Sequence, residues 1–297
     1  VEEVMQSLQP LIQSQILTDP AVTGVLAVRT VSTLSPLVDG FDVLLLVVTV
    51  ETLSTNYINH YSRDGLTIQE RRISKDALSQ WIMTGDNRSV IEWLLHGEIC
   101  ADRDSFLEST RQRLLEYPLI MKDQKLFIEF SHFLRSYLHS KQYLKEGHML
   151  DAYASVLEAL LQWARIAIIE QGFHPEVTVW QHVRKINPGI YKLYEELTQN
   201  EETLEQRVQL IHLACEFNVM SKMESCCNIL IQVLKSRAEP FSPFELKYHP
   251  ELRPLHVDLA LVLKNLIKRG LIQEVLLQNE EQDELGLIEV RYTIAKE

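Results

Sequence analysis

Residues 41–48, FDVLLLVV, are apolar throughout except for a single carboxylate near the start. A run of this length and composition, entered from the turn pair Asp39-Gly40, predicts a strand with apolar neighbours on both faces. Such a strand belongs inside a sheet. Its surroundings agree: from Val22 to about Asp102, β-branched or alternating runs (VTGVLAVRT, LTIQERRI, GEICADR) alternate with the helical pieces SKDALSQWI and RSVIEWLLHG. This stretch is expected to form an α/β region of four or five strands.

The pattern then changes twice. From about Gln124 to Leu234, apolar residues recur at intervals of three and four, with Gly147, Gly172 and Pro188 where helix ends and starts are expected. An antiparallel helical bundle follows. Beyond AEPFSPFEL, the amphipathic segment VDLALVLKNLIKRG precedes two alternating runs, LIQEVLLQ and GLIEVRYTIA, around a polar tip NEEQDE. Helix followed by hairpin describes a small winged-helix unit. The fold class is therefore α+β and multidomain, with expected boundaries at 1–117, 118–238 and 239–297.

Charge and cysteine usage narrow the function classes. The 297 residues carry a net charge of −12, which argues against a protein that grips nucleic acid over its whole surface. From Pro240 to Glu297, seven Lys and Arg face ten Asp and Glu, so the winged-helix unit is acidic too. Four cysteines without CxxC spacing point to a reducing compartment, and hence to a cytoplasmic location. No apolar run reaches the roughly 18 residues of a membrane span. The acidic start VEEVMQSLQPLIQSQIL is unlike a signal peptide, so no membrane partner is expected.

Asp42, at the mouth of the apolar strand, has two readings. It closes the turn by bonding nearby backbone, or it holds a divalent cation. Strand alternation puts Asp42, Leu44 and Leu46 on one face. In metal-dependent nucleotidyl transfer, two acids one residue apart at this place share that face. They hold Mg²⁺ against nucleotide phosphates, because Mg²⁺ takes hard oxygen ligands.

The stretch VLAVRTVSTLSPLVDGFDVLLL resembles the signature of the nucleotidyltransferase superfamily of the kanamycin and minimal nucleotidyltransferase kind. That signature is a hydrophobic residue, Gly, then Gly or Ser, a spacer of about nine to thirteen residues, and Asp-hydrophobic-Asp/Glu-hydrophobic. Val28, Arg29 and Thr30 align with its first part, eleven residues follow, and Asp42, Val43, Leu44 and Leu45 align with its end. The resemblance implies a nucleotidyltransferase-like sheet domain, a HEPN-like helical bundle and the winged helix. It also implies ATP and Mg²⁺ as ligands and, by analogy, a homodimer. Arg29 and Thr30 become candidate nucleotide-binding residues and Asp42 the candidate metal ligand.

Two departures bear on activity. Leu44 stands where the family's second carboxylate belongs, and Arg29 stands at the glycine, where backbone should approach phosphate. Glu70, on LTIQERRI, is the remaining candidate for a further catalytic acid. Its competing reading is a solvent-side residue paired with an arginine. Three functions follow: a pseudoenzyme that binds a nucleotide or regulates, an active Mg²⁺-dependent transferase using Asp42 and Glu70, or a winged-helix regulator that binds nucleic acid. Arg207 and His212 match a loose Arg-x4-His ribonuclease pattern, but five helical residues turn about 140°, so the two would not share a face. No P-loop, HExxH or GxSxG sequence is present.

Overall fold

A computed structural model describes residues 8–29, 40–50, 57–85, 87, 89–175, 178–278 and 288–295. The chain forms two compact units, Val1–Pro118 and Leu119–Glu297.

The first unit is built on a five-stranded mixed sheet. Its strands are β1 (Val22–Arg29), β2 (Val43–Thr49), β3 (Tyr57–Arg63), β4 (Leu66–Ser74) and β5 (Glu98–Asp102), in the order β3-β4-β2-β1-β5. β2 runs parallel to β4, and the other neighbours are antiparallel. The apolar run is the middle strand of the five, and all seven residues of β2 are buried. It begins at Val43, later than the expected Phe41. Phe41 instead packs its ring 4.5 Å from that of His60 on the neighbouring hairpin.

Both faces of β2 are covered. Val43, Leu45 and Val47 pack with Val25, Ala27 and Ile68 beneath Leu8, Ile12 and Ile16 of the N-terminal helical segment. The opposite face carries α1 (Lys75–Thr84), α2 (Ser89–His96) and α3 (Phe106–Glu116). Gly24 lets α3 approach, since a Cβ there would lie 2.7 Å from Leu107 Cδ1. The strand β3 escaped the pattern reading, because its side chains are mostly exposed. Its signal was the turn: Asp64 and Gly65 both have positive φ, 51° and 79°, as an Asp-Gly hairpin turn requires.

In the second unit a 28-residue helix α4 (Leu119–Glu146) turns back at Gly147 into the 22-residue α5 (Met149–Glu170). Phe127, Phe130, Phe133 and Tyr137 of α4 are fully buried and form its aromatic spine. By length and composition α5 could cross a bilayer, yet most of it is buried inside this unit. Next come α6 (Val179–Ile186), α7 (Pro188–Gln199), α8 (Leu204–Asn218), with a Thr203–Gln206 capping box, and α9 (Asn228–Lys235).

The C-terminal segment continues with α10 (Pro243–Tyr248), α11 (Leu259–Lys268) and the hairpin β6 (Ile272–Gln278) and β7 (Ile288–Ile294). Phe241 and Tyr292 exchange backbone hydrogen bonds of 2.8 Å, which ties the start of the segment to its hairpin. The polar tip NEEQDE lies outside the described residues. Segment and bundle share one compact unit. Arg135 of α4 reaches Asp258 at 3.3 Å, and Arg269 reaches Glu216 of α8 at 2.9 Å.

Candidate functional site

Asp42 enters the sheet beside Thr67 of β4, and the two residues are clasped together. Asp42 Oδ2 accepts the Thr67 backbone N–H at 2.8 Å and the Thr67 hydroxyl at 2.7 Å, while the Asp42 N–H donates to the Thr67 carbonyl at 3.1 Å. These hydrogen bonds, the backbone one first, hold the carboxyl below its ordinary pKa. Asp42 thus fixes the start of the parallel β2–β4 pair.

Glu70 lies on the other face. Register pairs Val43 with Ile68 and Leu45 with Glu70, so Glu70 belongs with Val43 and Leu45, whereas Asp42 and Thr67 alternate away from them. The two carboxylates therefore cannot ligate one ion. The expectation of a solvent-side Glu70 is also corrected: it is 1% exposed. Both its oxygens are engaged, Oε2 by the Tyr61 hydroxyl at 2.8 Å and Oε1 by Arg72 Nε at 2.6 Å. Arg72 reaches on to Asp19 at 2.9 Å, and Asp19 caps the Ala21 N–H at 2.9 Å. Burial, and next the bond to Glu70, raise the pKa of Tyr61. The chain of contacts is a structural tie from the N-terminal segment to β4.

Arg29, exposed at the end of β1, is in register with Val43 and so shares the Glu70 face. Thr30 and Asp39 lie outside the described residues. Beside Asp42, on its own face, stand Gln69, Arg71 and His60. Gln69 is 3.4 Å from the His60 ring, and Arg71 donates to Gln69 and lies 5.6 Å over the Trp93 ring. Among the described residues, no group of three or more His, Cys, Asp or Glu is placed to hold a metal ion.

The helical unit holds a second cluster that pattern reading missed. Lys125 and Glu129, one turn apart on α4, and Arg165 on α5 are all largely buried. Arg165 Nη1 lies 3.2 Å from Gln162 Oε1 and 3.7 Å from Glu129 Oε2, and Lys125 Nζ lies 3.5 Å from His174 Nδ1. Burial pushes Lys125 down to about 8, opposed by the charge of Glu129. One sequence signal existed: Arg165 is the sole charge between Glu158 and Glu170 in an otherwise apolar helix.

Arg207 and His212 do not meet. The Arg207 guanidinium donates to the Leu197 carbonyl at 2.9 Å, while His212 is buried 2.8 Å from Ser140 Oγ. Ser140 donates its own proton to the Ala152 carbonyl, so His212 Nε2–H is the donor to Ser140.

Three family models match successive parts of the chain. One described as nucleotidyltransferase-like covers residues 5–122, one described as a YgxA-like substrate binding domain covers 123–222, and one described as a helix-turn-helix domain covers 228–293. The protein YgxA of Bacillus subtilis (strain 168) is 33% identical over 275 residues, 93% of each chain. The crystal structure of a nucleotidyltransferase-like protein from Exiguobacterium sibiricum 255-15 superposes with a TM-score of 0.87 at 31% identity. That match covers 98% of this chain and 100% of the other.

Proposed function

The chain belongs to the YgxA family of nucleotidyltransferase-like proteins, and on that premise we propose that it is a pseudoenzyme, binding a nucleotide or regulating a partner without nucleotidyl transfer. One observation carries this reading. The two candidate catalytic acids, Asp42 and Glu70, sit on opposite faces of the sheet, and each is already hydrogen-bonded within it. Leu44 occupies the place of the second carboxylate on the Asp42 face and is fully buried. A lone carboxylate with one oxygen accepting two hydrogen bonds is a poor Mg²⁺ site, and the residues present do not fit the two-acid arrangement. Arg29 and Thr30 are the residues through which nucleotide phosphate would be met.

The helix-turn-helix segment, in this reading, packs against protein and leaves nucleic acid alone. Its α11 is bracketed by two ion pairs to the bundle, and its net charge repels phosphate.

Labelled ATP tests the proposal. With Mg²⁺ and the full-length protein, calorimetry is expected to register ATP binding of similar affinity with and without the metal. No label should pass to protein or small-molecule acceptors. Transfer that Asp42→Ala abolishes would establish an active transferase and defeat the proposal.

A further inference from the structure

Arg165 and Lys125 place two basic side chains in the interior of the helical unit, 3% and 6% exposed, beside Glu129. Burying a cation is costly unless it is paired and fully hydrogen-bonded, and apolar replacements of buried ionic groups are often neutral or stabilising. Packing alone does not call for this arrangement. Arg165 is also incompletely satisfied: Nη1 hydrogen-bonds Gln162 and meets Glu129 only as a charge 3.7 Å away, whereas the buried Nη2 meets no hydrogen-bond acceptor among the described residues. Lys125 has three donor positions and a long contact to the ring of His174.

We propose that Arg165 and Lys125 form an oxyanion-binding site in the helical unit, which takes the phosphate or carboxylate group of a small molecule. Arg165 Nη2 supplies the directed donor and Lys125 the second charge, with Glu129 and Gln162 holding the guanidinium in place through Nη1. Burial weakens the ammonium of Lys125, lowering its pKa to about 8, and an arriving anion would raise it again. The site is independent of nucleotide binding by the sheet unit. Phosphate binding here with no response to ATP leaves it standing.

The test uses the full-length chain, labelled with ¹³C at lysine, with the Lys125 signal identified by its loss in Lys125→Met. Inorganic phosphate and acetate are added in separate titrations against chloride at matched ionic strength. The expected result is an upward shift of the Lys125 titration in phosphate, in acetate or in both, and the responding anion names the ligand group. Arg165→Gln is expected to weaken binding by about tenfold or more, the worth of a charge-assisted hydrogen bond. If that variant fails to fold, the wild-type titration decides alone. A Lys125 titration identical in all three salts overturns the proposal, as does a folded Arg165→Gln that binds as tightly as wild type.

Discussion

His212 shows how one buried side chain makes stability depend on pH. Burial first, and the charge of Lys141 second, push its pKa down to about 4 from an ordinary 6.5. Between those values the unfolded chain binds a proton that the folded chain refuses. Folding stability therefore falls as pH drops from about 6.5 toward 4, by up to about 1.4 kcal/mol per pH unit. Urea unfolding of wild type and His212→Gln across this range should show wild type losing ground on acidification. Above pH 7 the two curves should run parallel. A wild type that gains relative stability in acid would contradict the neutral, Ser140-bonded imidazole. Glu70, a candidate for a further catalytic acid, is instead committed, oxygen by oxygen, to Tyr61 and Arg72.

Between elements, one tight approach in the sheet unit is where α2 ends and β5 begins. Gly97 makes this junction: its N–H donates to the Trp93 carbonyl at 2.7 Å. A Cβ at Gly97 would lie 2.5 Å from that same carbonyl oxygen and 2.9 Å from Leu26 Cγ on β1. Neither neighbour can yield cheaply, since one is backbone and the other is fully buried. Gly97→Ala should cost about 1–3 kcal/mol in chemical denaturation, the usual penalty for overpacking. Gly147→Ala makes a useful contrast, because nothing lies within 4 Å of its Cβ position and its cost comes from a φ of +83° alone.

Over the whole molecule, acidic charge bears on the helix-turn-helix segment. A net charge of −12, with an acidic C-terminal segment, predicts no binding to duplex DNA by fluorescence anisotropy even at low salt. Salt-sensitive binding lost on replacing Lys264, Lys268 and Arg269 would contradict this. Much of the architecture was legible beforehand, because burial imprints a period on the residues. The apolar run of β2, the three-four spacing along α4 and α5, and the final helix and hairpin each carry their own signature. Local pattern determined most of the segments that become strands or helices, with β3 and its Asp64-Gly65 turn the ones left unread. It could not determine which side chains meet. Whether Asp42 and Glu70 face each other depends on the register between β2 and β4, where a slip of one residue reverses every side chain. Likewise, Lys125 and Arg165 lie forty positions apart in sequence and come under one roof only when α4 and α5 fold back on each other. Elements follow from short-range periodicity, whereas sites follow from long-range pairing, which only the tertiary structure decides.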